Sequence, residues 1–278
     1  MKKDNILKSI MLIFLTLFTI YSMTPIVLTV MNSFKTGSEL VINSWGFPIN
    51  FVLENYMRLI TFSGGVLLRS YFNAIFVAVS YTILTIMISS LAAFSFSKFR
   101  FKGRNFIFAC LLATMMIPIE ITIPPLYIAF ARIGWLNTYY VQIFPGIANV
   151  FCMFLLKQYM DGLPSSLMES ARIDGANHLT VFSKIVFPIS APAIGALTIL
   201  TFLSKWNDFL WPQIMLTDTR VMPIMVILPT LNDQDAVWSL PWELIMAGCT
   251  MVVIPIIIVF FAFQRHFMSS VVIGAVKE

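Results

Sequence analysis

The stretch "SYFNAIFVAVSYTILTIMISSLAAFSFS", residues 70–97, contains no charged side chain. A helix of this length can cross the hydrocarbon core of a membrane, which is about 30 Å thick. Four further uncharged runs, each long enough for a span, cover residues 9–34, 133–156, 185–204 and 244–264. A sixth, from residue 105 to about 130, is interrupted by Glu120 and several prolines. The sequence therefore predicts an all-α integral membrane protein with six transmembrane helices.

The composition agrees with this interpretation. Of the 278 residues, 59% are hydrophobic and 11% are charged, and the mean hydropathy is +0.87. Such values exclude an ordinary soluble globular protein. The first run is too long for a signal peptide and lacks a small-residue cleavage pattern, so we expect a retained span. Cys110, Cys152 and Cys249 lie in predicted spans, where we expect buried thiols and no disulfide.

The distribution of lysine and arginine predicts the orientation, because cytoplasmic loops carry an excess of positive charge. With six spans, twelve of these residues lie on the side of the N-terminus and five on the other side. Both termini are therefore predicted to be cytoplasmic. The formal net charge of +5 follows from this topology. Because the basic residues are scattered among the loops, we expect no nucleic-acid partner.

The segment "LPSSLMESARIDGANHLTVFSKIVFP", residues 163–188, is unusually polar for this chain. It is predicted to be cytoplasmic, between the fourth and fifth spans. Ser166 and Glu169 have the S-x-x-E spacing of a capping box, in which the two side chains satisfy free amides at a helix N-terminus. Gly175 can end this helix, and Asn177 can cap a second helix that leads into the fifth span.

An apolar face on this polar helix indicates that it contacts protein. Leu163, Leu167 and Ala171 recur at every fourth residue and so share one face of a helix. This face can contact either a partner protein or the cytoplasmic helix ends of the same chain. The pattern alone leaves both possibilities open.

The string "ESARIDGA", residues 169–176, followed by Ile185 and Pro188, resembles a known family motif. It is similar to the loop E-A-A, three residues, G, nine residues, I-x-L-P in permease subunits of binding-protein-dependent ABC importers. Ser170 and Phe187 depart from that pattern without changing its spacing. The string also resembles the carbohydrate branch, which includes maltose and glycerol-phosphate permeases. The resemblance continues in "NSFKT", "ENY", "FSFSKFRFKGRN", "MIPIEITIPPLY", "GWLNTYY", "WNDFLWP" and "QRHFMSSVVIGAVKE".

The resemblance implies a type I importer permease in the plasma membrane of a prokaryotic cell. Its expected partners are membrane lipid, a second homologous permease chain, two ATPase subunits and an extracytoplasmic sugar-binding protein. The chain lacks G-x-x-x-x-G-K-[ST], so we expect ATP and Mg to be bound by the partner ATPases, with no cofactor or catalytic site here. The implied organisation is a first helix and external segment (residues 1–67), a five-helix core (68–265) containing a coupling helix (about 163–182), and a cytoplasmic tail (266–278).

The same resemblance implies three sets of contact residues. The set expected to contact and couple to the ATPase comprises Leu167, Glu169, Ser170, Ala171, Asp174, Gly175 and Pro188. The tail residues expected to reach the ATPase interface are Gly274, Ala275, Val276 and Lys277. The candidates for contact with the binding protein, in an outer loop over residues 215–242, are Asn232, Asp233, Gln234 and Asp235.

Ionisable residues inside the membrane are expensive to bury, so they indicate a cavity or a partner. Glu120 follows Pro118, and the prolines nearby predict a broken third span. Lys205 and Asp208 lie one helical turn apart and can pair. We expect a structural pair; the alternative is a substrate pathway that includes these three residues and the neighbouring Trp206 and Asn207. Trp211 is expected to be an interfacial anchor.

Two other classes of membrane protein share some of these features. A secondary transporter or channel, working without an ATPase, would also have six spans, but should contain its own ion sites and often inverted repeats. A polytopic enzyme is disfavoured because H-E-x-x-H and G-x-S-x-G are absent. The two histidines, His178 and His266, are expected to be solvated or to cap helices, so we expect no metal site.

Overall fold

The computed structural model describes residues 2–231 and 241–275, with the backbone alone for residues 2–5 and 266–275. In this part of the chain the regular structure is helical, and no strand is present. The α-helices are α1 Lys2–Asn32, α2 Gly37–Ile42, α3 Glu54–Thr61, α4 Val66–Lys98, α5 Arg104–Thr114, α6 Ile123–Arg132, α7 Tyr139–Ile143, α8 Val150–Asp161, α9 Ser166–Ile173, α10 His178–Val181, α11 Phe187–Ile189, α12 Ala191–Trp206, α13 Leu210–Met215, α14 Ile224–Thr230 and α15 Trp242–Ala275.

Within the described part of the chain, three helices are long and apolar enough to cross a membrane unbroken. They are α1, α4 and α15, with candidate spans over Ile6–Asn32, Val66–Lys98 and Trp242–Arg265. These spans correspond to three of the predicted runs, so the all-α membrane fold is confirmed. The most apolar part of α1 has none of its residues buried by the rest of the chain, whereas 44% of the corresponding part of α4 is buried.

The third predicted span is broken, as its prolines predict. Helix α5 ends at Thr114, and a 3-10 turn over Ile119–Thr122 leads into α6 with a change of direction of 90°. Pro118 immediately precedes the turn, and a proline occupies the start of α6, where its missing amide hydrogen is tolerated. The backbone between α5 and α6 therefore leaves the helical path next to Glu120.

The fifth predicted span is bent. Helix α10 continues through a π-helical turn over Phe182–Val186 into α11. A bend of 77° at Ser190 then separates the segment His178–Ile189 from α12. The predicted run over residues 185–204 is therefore not one straight helix, because its first residues belong to the segment before the bend.

The predicted continuous helix over residues 133–156 is wrong. The run contains α7, an irregular stretch over residues 144–149, and the start of α8. Pro145 and Gly146, which has φ +85°, interrupt the helix, and the side chain of Asn149 accepts a hydrogen bond from the amide of Cys152 at 2.9 Å to start α8. By length and composition, the described residues contain three spanning helices, or five if each bent pair is one span.

The chain divides into two compact units. The first comprises Met1–Arg69 and Ile227–Ile254. A buried polar cluster lies inside it: the Lys35 ammonium donates to Asn32 Oδ1 at 2.8 Å and to the carbonyl oxygens of Asn43 and Gly46 at 2.5 and 2.7 Å. The side-chain amide of Asn55 donates to the carbonyl oxygens of residues 33 and 35. The motifs "NSFKT" and "ENY" therefore meet in space.

The second unit comprises Ser70–Val226 and Pro255–Glu278. Its main apolar core joins α4, α8, α9, the π-helical turn and α12. The buried residues at the centre of this core include Phe94, Leu156, Met160, Phe182 and Leu197. A smaller core, around Ile123, Val141 and Met215, packs α6, α7 and α13. These two cores hold the cavity and the polar segment described below.

Replacing Lys35 with Met should destabilise the first unit. The ammonium is completely buried and donates hydrogen bonds to three oxygen atoms. A thioether cannot donate, so the unpaired acceptors should lower the free energy of unfolding by about 1–3 kcal/mol. The measurement is the thermal unfolding midpoint in detergent, with Lys8→Met on the exposed surface of α1 as the matched control. Equal midpoints for the two variants would contradict the structural role of Lys35.

Candidate transport pathway and coupling segment

A cavity of about 400 Å³ lies in the second unit. It is bounded by α4, the 3-10 turn and start of α6, residues 145–146, and the α12–α13 connection. Three of the predicted ionisable residues line it, although about 85 residues of sequence separate the first from the other two. The lining residues are Tyr81, Ile119, Glu120, Thr122, Ile123, Leu126, Pro145, Gly146, Ser204, Lys205, Asp208, Leu210 and Trp211.

Lys205 and Asp208 form the predicted ion pair. The ammonium lies 2.9 Å from Asp208 Oδ2, and the two side chains are 10% and 22% exposed. The ammonium also lies 5.2 Å from the centre of the Tyr81 ring, within range of a cation–π interaction. The other carboxylate oxygen of Asp208 accepts the amide hydrogen of Trp211 at 3.4 Å. The positive charge of Lys205 is therefore already matched inside the cavity.

Glu120 is in the 3-10 turn that follows the break after α5. Its side chain is exposed to the cavity, and within the described residues no ion pair involves it. Among the described residues, the cavity lining thus carries two carboxylates and one ammonium, a formal excess of one negative charge. Such an arrangement disfavours an anion and is compatible with an uncharged, hydrogen-bonding ligand.

The other two pathway candidates do not line this cavity. Trp206 is 1% exposed, and its indole packs edge-on against Tyr71 and is stacked with Phe202. Asn207 follows the end of α12, where its side-chain amide donates to the carbonyl of Leu203 at 2.9 Å. Both side chains therefore make contacts at the C-terminal end of α12 and do not line the cavity.

Trp211 lines the cavity, which its expected role as a membrane anchor did not anticipate. Its indole nitrogen donates to the carbonyl of Val141 at 2.8 Å, and its ring lies edge-on to Phe130. The hydrogen bond fixes the ring as part of the wall between α7 and α13. A tryptophan near a membrane surface commonly acts as an anchor, so no sequence pattern indicated a position in the cavity wall.

A set of side-chain hydrogen bonds to the backbone of residues 217–222 was not predicted from the sequence. The side-chain amide of Asn73 donates to the carbonyls of Arg220 and Met222, and that of Gln142 donates to the carbonyl of Val221. Asn137, in a left-handed conformation with φ +59°, instead accepts through Oδ1 the amide hydrogens of Thr217 and the following residue. These contacts fix residues 217–222. The predicted outer loop over residues 215–242 is therefore ordered at its start and also contains α14, in which Ile224, Val226 and Ile227 are buried.

The polar segment after α8 consists of two short helices, α9 and α10, joined by a turn at Gly175. The carbonyl of Leu163, where the segment begins, accepts a hydrogen bond from the Lys98 ammonium at 2.9 Å. Gly175 ends α9 in the left-handed conformation, with φ +83°, and Asn177 Oδ1 accepts the amide hydrogen of Thr180 at 2.8 Å to cap α10. These two predictions are confirmed. A Cβ on Gly175 would meet open space, so its backbone conformation restricts substitution.

The predicted capping box is not formed. Helix α9 begins at Ser166 itself, so Ser165 precedes it as the N-cap residue. Ser165 has helical backbone angles, and no side chain caps the first turn. A capping side chain requires an extended N-cap residue, which explains why the S-x-x-E spacing fails here. Glu169 is therefore exposed on the first turn without a capping role.

The inward face of α9 differs from the predicted one. Met168 and Ala171 are buried in the main core of the second unit, packed with the end of α8 and the π-helical turn. Ala171 is thus covered by the chain itself, whereas it was expected to face a partner. Leu167 is 42% exposed at the edge of this face. Of the two possible contacts for the apolar face, the core of the same chain therefore covers most of it.

The outward face of the segment presents another set of residues. Ile173 is 86% exposed and Leu179 is 70% exposed, although both are large and apolar. Glu169, Ser170 and Asp174 are exposed near Ile173 on α9 and its C-terminal end. The sequence pattern did not predict this exposure, because Ile173 is off the four-residue spacing and Leu179 lies beyond the turn at Gly175 that ends α9. We call Glu169, Ser170, Ile173, Asp174 and Leu179 the outward face.

The remaining predicted site residues have these positions. Pro188 is exposed in α11, close to the 77° bend. Gly274 and Ala275 continue α15, so the predicted tail is helical as far as Ala275. His178 begins α10, with its ring 4.8 Å from the ring of Phe99. Six predicted contact residues lie outside the described residues: Asn232, Asp233, Gln234, Asp235, Val276 and Lys277.

An all-helical membrane chain with broken helices around a charged cavity, and a capped polar segment between apolar helices, defines a membrane transport subunit. The chain belongs to the family described as binding-protein-dependent transport system inner membrane components, whose model matches residues 85–272. The protein is therefore a multi-pass permease component of a prokaryotic cell membrane.

Relatives of known name cover nearly the whole chain. The arabinooligosaccharide transport system permease protein of Halalkalibacterium halodurans is 31% identical over 99% of each chain. The trehalose/maltose transport system permease protein of Thermococcus litoralis is also 31% identical over 99% of each chain. The sn-glycerol-3-phosphate transport system permease protein of Brucella abortus is 32% identical, over 89% of this chain and 90% of the relative.

A solved structure shows the same fold. It is the crystal structure of a bacterial ABC transporter involved in the import of the acidic polysaccharide alginate. One of its chains matches this one with a TM-score of 0.85 and 23% identity, over 96% of this chain and 98% of that chain. The predicted fold of an ABC importer permease is therefore confirmed.

Removing one member of the Lys205–Asp208 pair should destabilise the protein more than removing both. Lys205→Met leaves a poorly solvated carboxylate without its partner, and Asp208→Asn leaves the ammonium, each at a cost of up to about 3–5 kcal/mol. The double variant should recover much of that loss. The thermal unfolding midpoints of the four proteins form the double-mutant cycle. Strictly additive losses would show that the pair does not contribute to folding.

Proposed function

We propose that the chain is the permease subunit of an ATP-driven importer of sugars delivered by an extracytoplasmic binding protein. The observation that carries the sugar assignment is the similarity, over almost the full length, to permeases named for arabinooligosaccharides and for trehalose and maltose. The cavity supports it, because aromatic rings and hydrogen-bonding groups of Tyr81, Thr122, Ser204 and Trp211 occur together in its wall.

The charge of the cavity favours a neutral sugar over an acidic one. Lys205 is the basic residue of the lining, and Asp208 already neutralises it at 2.9 Å. Glu120 adds a second carboxylate, which would repel a phosphate or uronate group. Relatives and neighbours named for glycerol phosphate and alginate make the acidic class the competing assignment. We therefore propose that Glu120, Lys205 and Asp208 line the route of an uncharged mono- or oligosaccharide.

ATP hydrolysis belongs to partner subunits in this proposal. The sequence has no phosphate-binding loop of the G-x-x-x-x-G-K-[ST] type. Two ATPase subunits would bind ATP and Mg, and a second homologous permease chain would complete the pathway. With both termini in the cytoplasm, α9 and α10 lie on the side where these ATPases bind.

The outward face is the proposed ATPase contact. Ile173 and Leu179 give it apolar anchors, and Glu169 and Asp174 surround them with charge, a combination typical of protein interfaces. Met168 and Ala171 would transmit movement of this face into the apolar core, since they are packed there. Residues 274–277 of the tail are a second proposed ATPase contact, and residues 232–235 are a proposed contact of the binding protein.

Changing Ile173 to Lys should weaken the contact with the ATPase. The residue is the last of α9, where a positive charge is favourable to the helix dipole, so folding should be preserved. The affinity-tagged permease, purified from its native host, should retain ATPase chains in the wild type and lose most of them in the variant.

The matched control is Ile107→Lys, which alters another partly exposed isoleucine, on α5. It should leave the recovery of ATPase chains unchanged. If no ATPase chain accompanies the wild-type protein, the importer itself is excluded and a transporter working without an ATPase is favoured. If the Ile173 variant retains the ATPase fully, only the outward face is the wrong contact.

Glu120→Gln should relax discrimination against acidic sugars. Removing the unmatched carboxylate abolishes the excess negative charge, so an acidic trisaccharide should bind about tenfold more tightly, equivalent to about 1.4 kcal/mol, while a neutral trisaccharide of equal size is little affected. Binding is measured calorimetrically on the purified permease complex, without the binding protein. Tighter binding of the acidic sugar by the wild-type complex would contradict the neutral assignment.

A further inference from the structure

The segment over residues 41–53, here called the aromatic segment, presents an unusual amount of apolar surface. It contains no charged residue. Alternate side chains along it are highly exposed: Trp45 76%, Phe47 80%, Ile49 76%, Phe51 72% and Leu53 66%. Exposed apolar side chains in such number indicate contact with another molecule or with lipid. The transport cavity and the outward face do not include this segment.

The aromatic segment is held in place by polar contacts on its inner side. The buried ammonium of Lys35 binds the carbonyls of Asn43 and Gly46. The amide of Ile49 donates to Glu39 Oε1 at 2.7 Å, and that of Val52 donates to the carbonyl of Phe34 at 2.8 Å.

Asn43 also donates its side-chain amide to the carbonyl of Phe47 at 2.9 Å. Several polar groups of the backbone are thus satisfied by the first unit itself, while the apolar side chains point away from it. This arrangement suits an environment that is poor in water, where unsatisfied amides and carbonyls are costly.

The position of the segment along the chain brings it close to the membrane surface. The apolar part of α1, Ile6–Asn32, has 27 residues and is about 40 Å long, more than the hydrocarbon thickness of about 30 Å. Its C-terminal end therefore emerges at the boundary between lipid and water. The aromatic segment begins nine residues later, so it directly follows a helix whose apolar surface the rest of the chain leaves uncovered.

We propose that the aromatic segment lies in the membrane–water interface at the C-terminal end of α1, with its exposed side chains in contact with lipid. Tryptophan and phenylalanine are suited to this region because their rings are stable at the level of the headgroups and upper acyl chains. The absence of charge over residues 40–53 fits the same environment. The hydrogen bonds from Lys35 to the carbonyls of Asn43 and Gly46 hold the segment at this depth.

Spin labelling tests the position of the segment. In the complete complex in lipid nanodiscs, a nitroxide label is attached to Phe47→Cys in a background carrying C110A, C152A and C249A. The matched control is Asn50→Cys, an exposed polar position of the same segment. Collision rates are measured with O₂, which concentrates in lipid, and with a water-soluble Ni(II) chelate.

The expected result is a ratio of O₂ to Ni(II) collisions severalfold higher at residue 47 than at residue 50. Frequent collisions with Ni(II) at residue 47 would show that the side chain is in water, and low rates with both reagents would show that a protein covers it. Either result overturns the proposal. Trp45→Cys repeats the measurement if the Phe47 variant does not assemble.

A second variant tests the role of Lys35. Adding Lys35→Met to the labelled Phe47→Cys protein should lower the ratio toward the value of residue 50, because the segment loses its attachment at Asn43 and Gly46. An unchanged ratio would show that Lys35 does not hold the segment in position. The readout does not depend on sugar uptake or ATP hydrolysis, so its failure is distinct from failure of the proposed function.

Discussion

Backbone hydrogen bonding in hydrocarbon is the constraint on which this structure depends. A chain that is 59% hydrophobic must satisfy its amides and carbonyls without water, and long helices such as α1, α4 and α15 do so within themselves. Breaks are tolerable where the freed backbone meets protein or a polar cavity. The irregular backbone at residues 119–122 and 145–146 meets this condition, because both stretches line the cavity. The helices are therefore broken at the places where their backbone lines the cavity.

The ion pair in the cavity follows from the same low polarity. A single charge in this place would be expensive, so Lys205 and Asp208 occur together and reach each other within one helical turn. Glu120 remains as the charge that a ligand would experience, because it is brought to the cavity by the break after α5. Charge balance in the wall thus links the fold to the class of sugar that we propose.

The segment after α8 is packed against the membrane helices on one side and exposed on the other. Met168 and Ala171 join the apolar core, whereas Ile173 and Leu179 are left outside. The turn at Gly175 and the cap at Asn177 fix the angle between the two short helices. In the proposed coupling, movement of the outward face would reach the core through the packed residues Met168 and Ala171.

From the sequence alone, periodicity and charge established the membrane class, the break near Pro118, the turn at Gly175, the cap at Asn177 and the pairing of Lys205 with Asp208, because each depends on residues close together in the chain. The break at residues 144–149, the burial of Trp206 and the choice of Ala171 as an inward residue required the tertiary structure. An uncharged run looks the same whether it is one helix or two, and burial depends on which distant helices pack together. The meeting of Glu120 with Lys205 and Asp208 is likewise a property of the fold, since only packing sets distances between residues far apart in sequence.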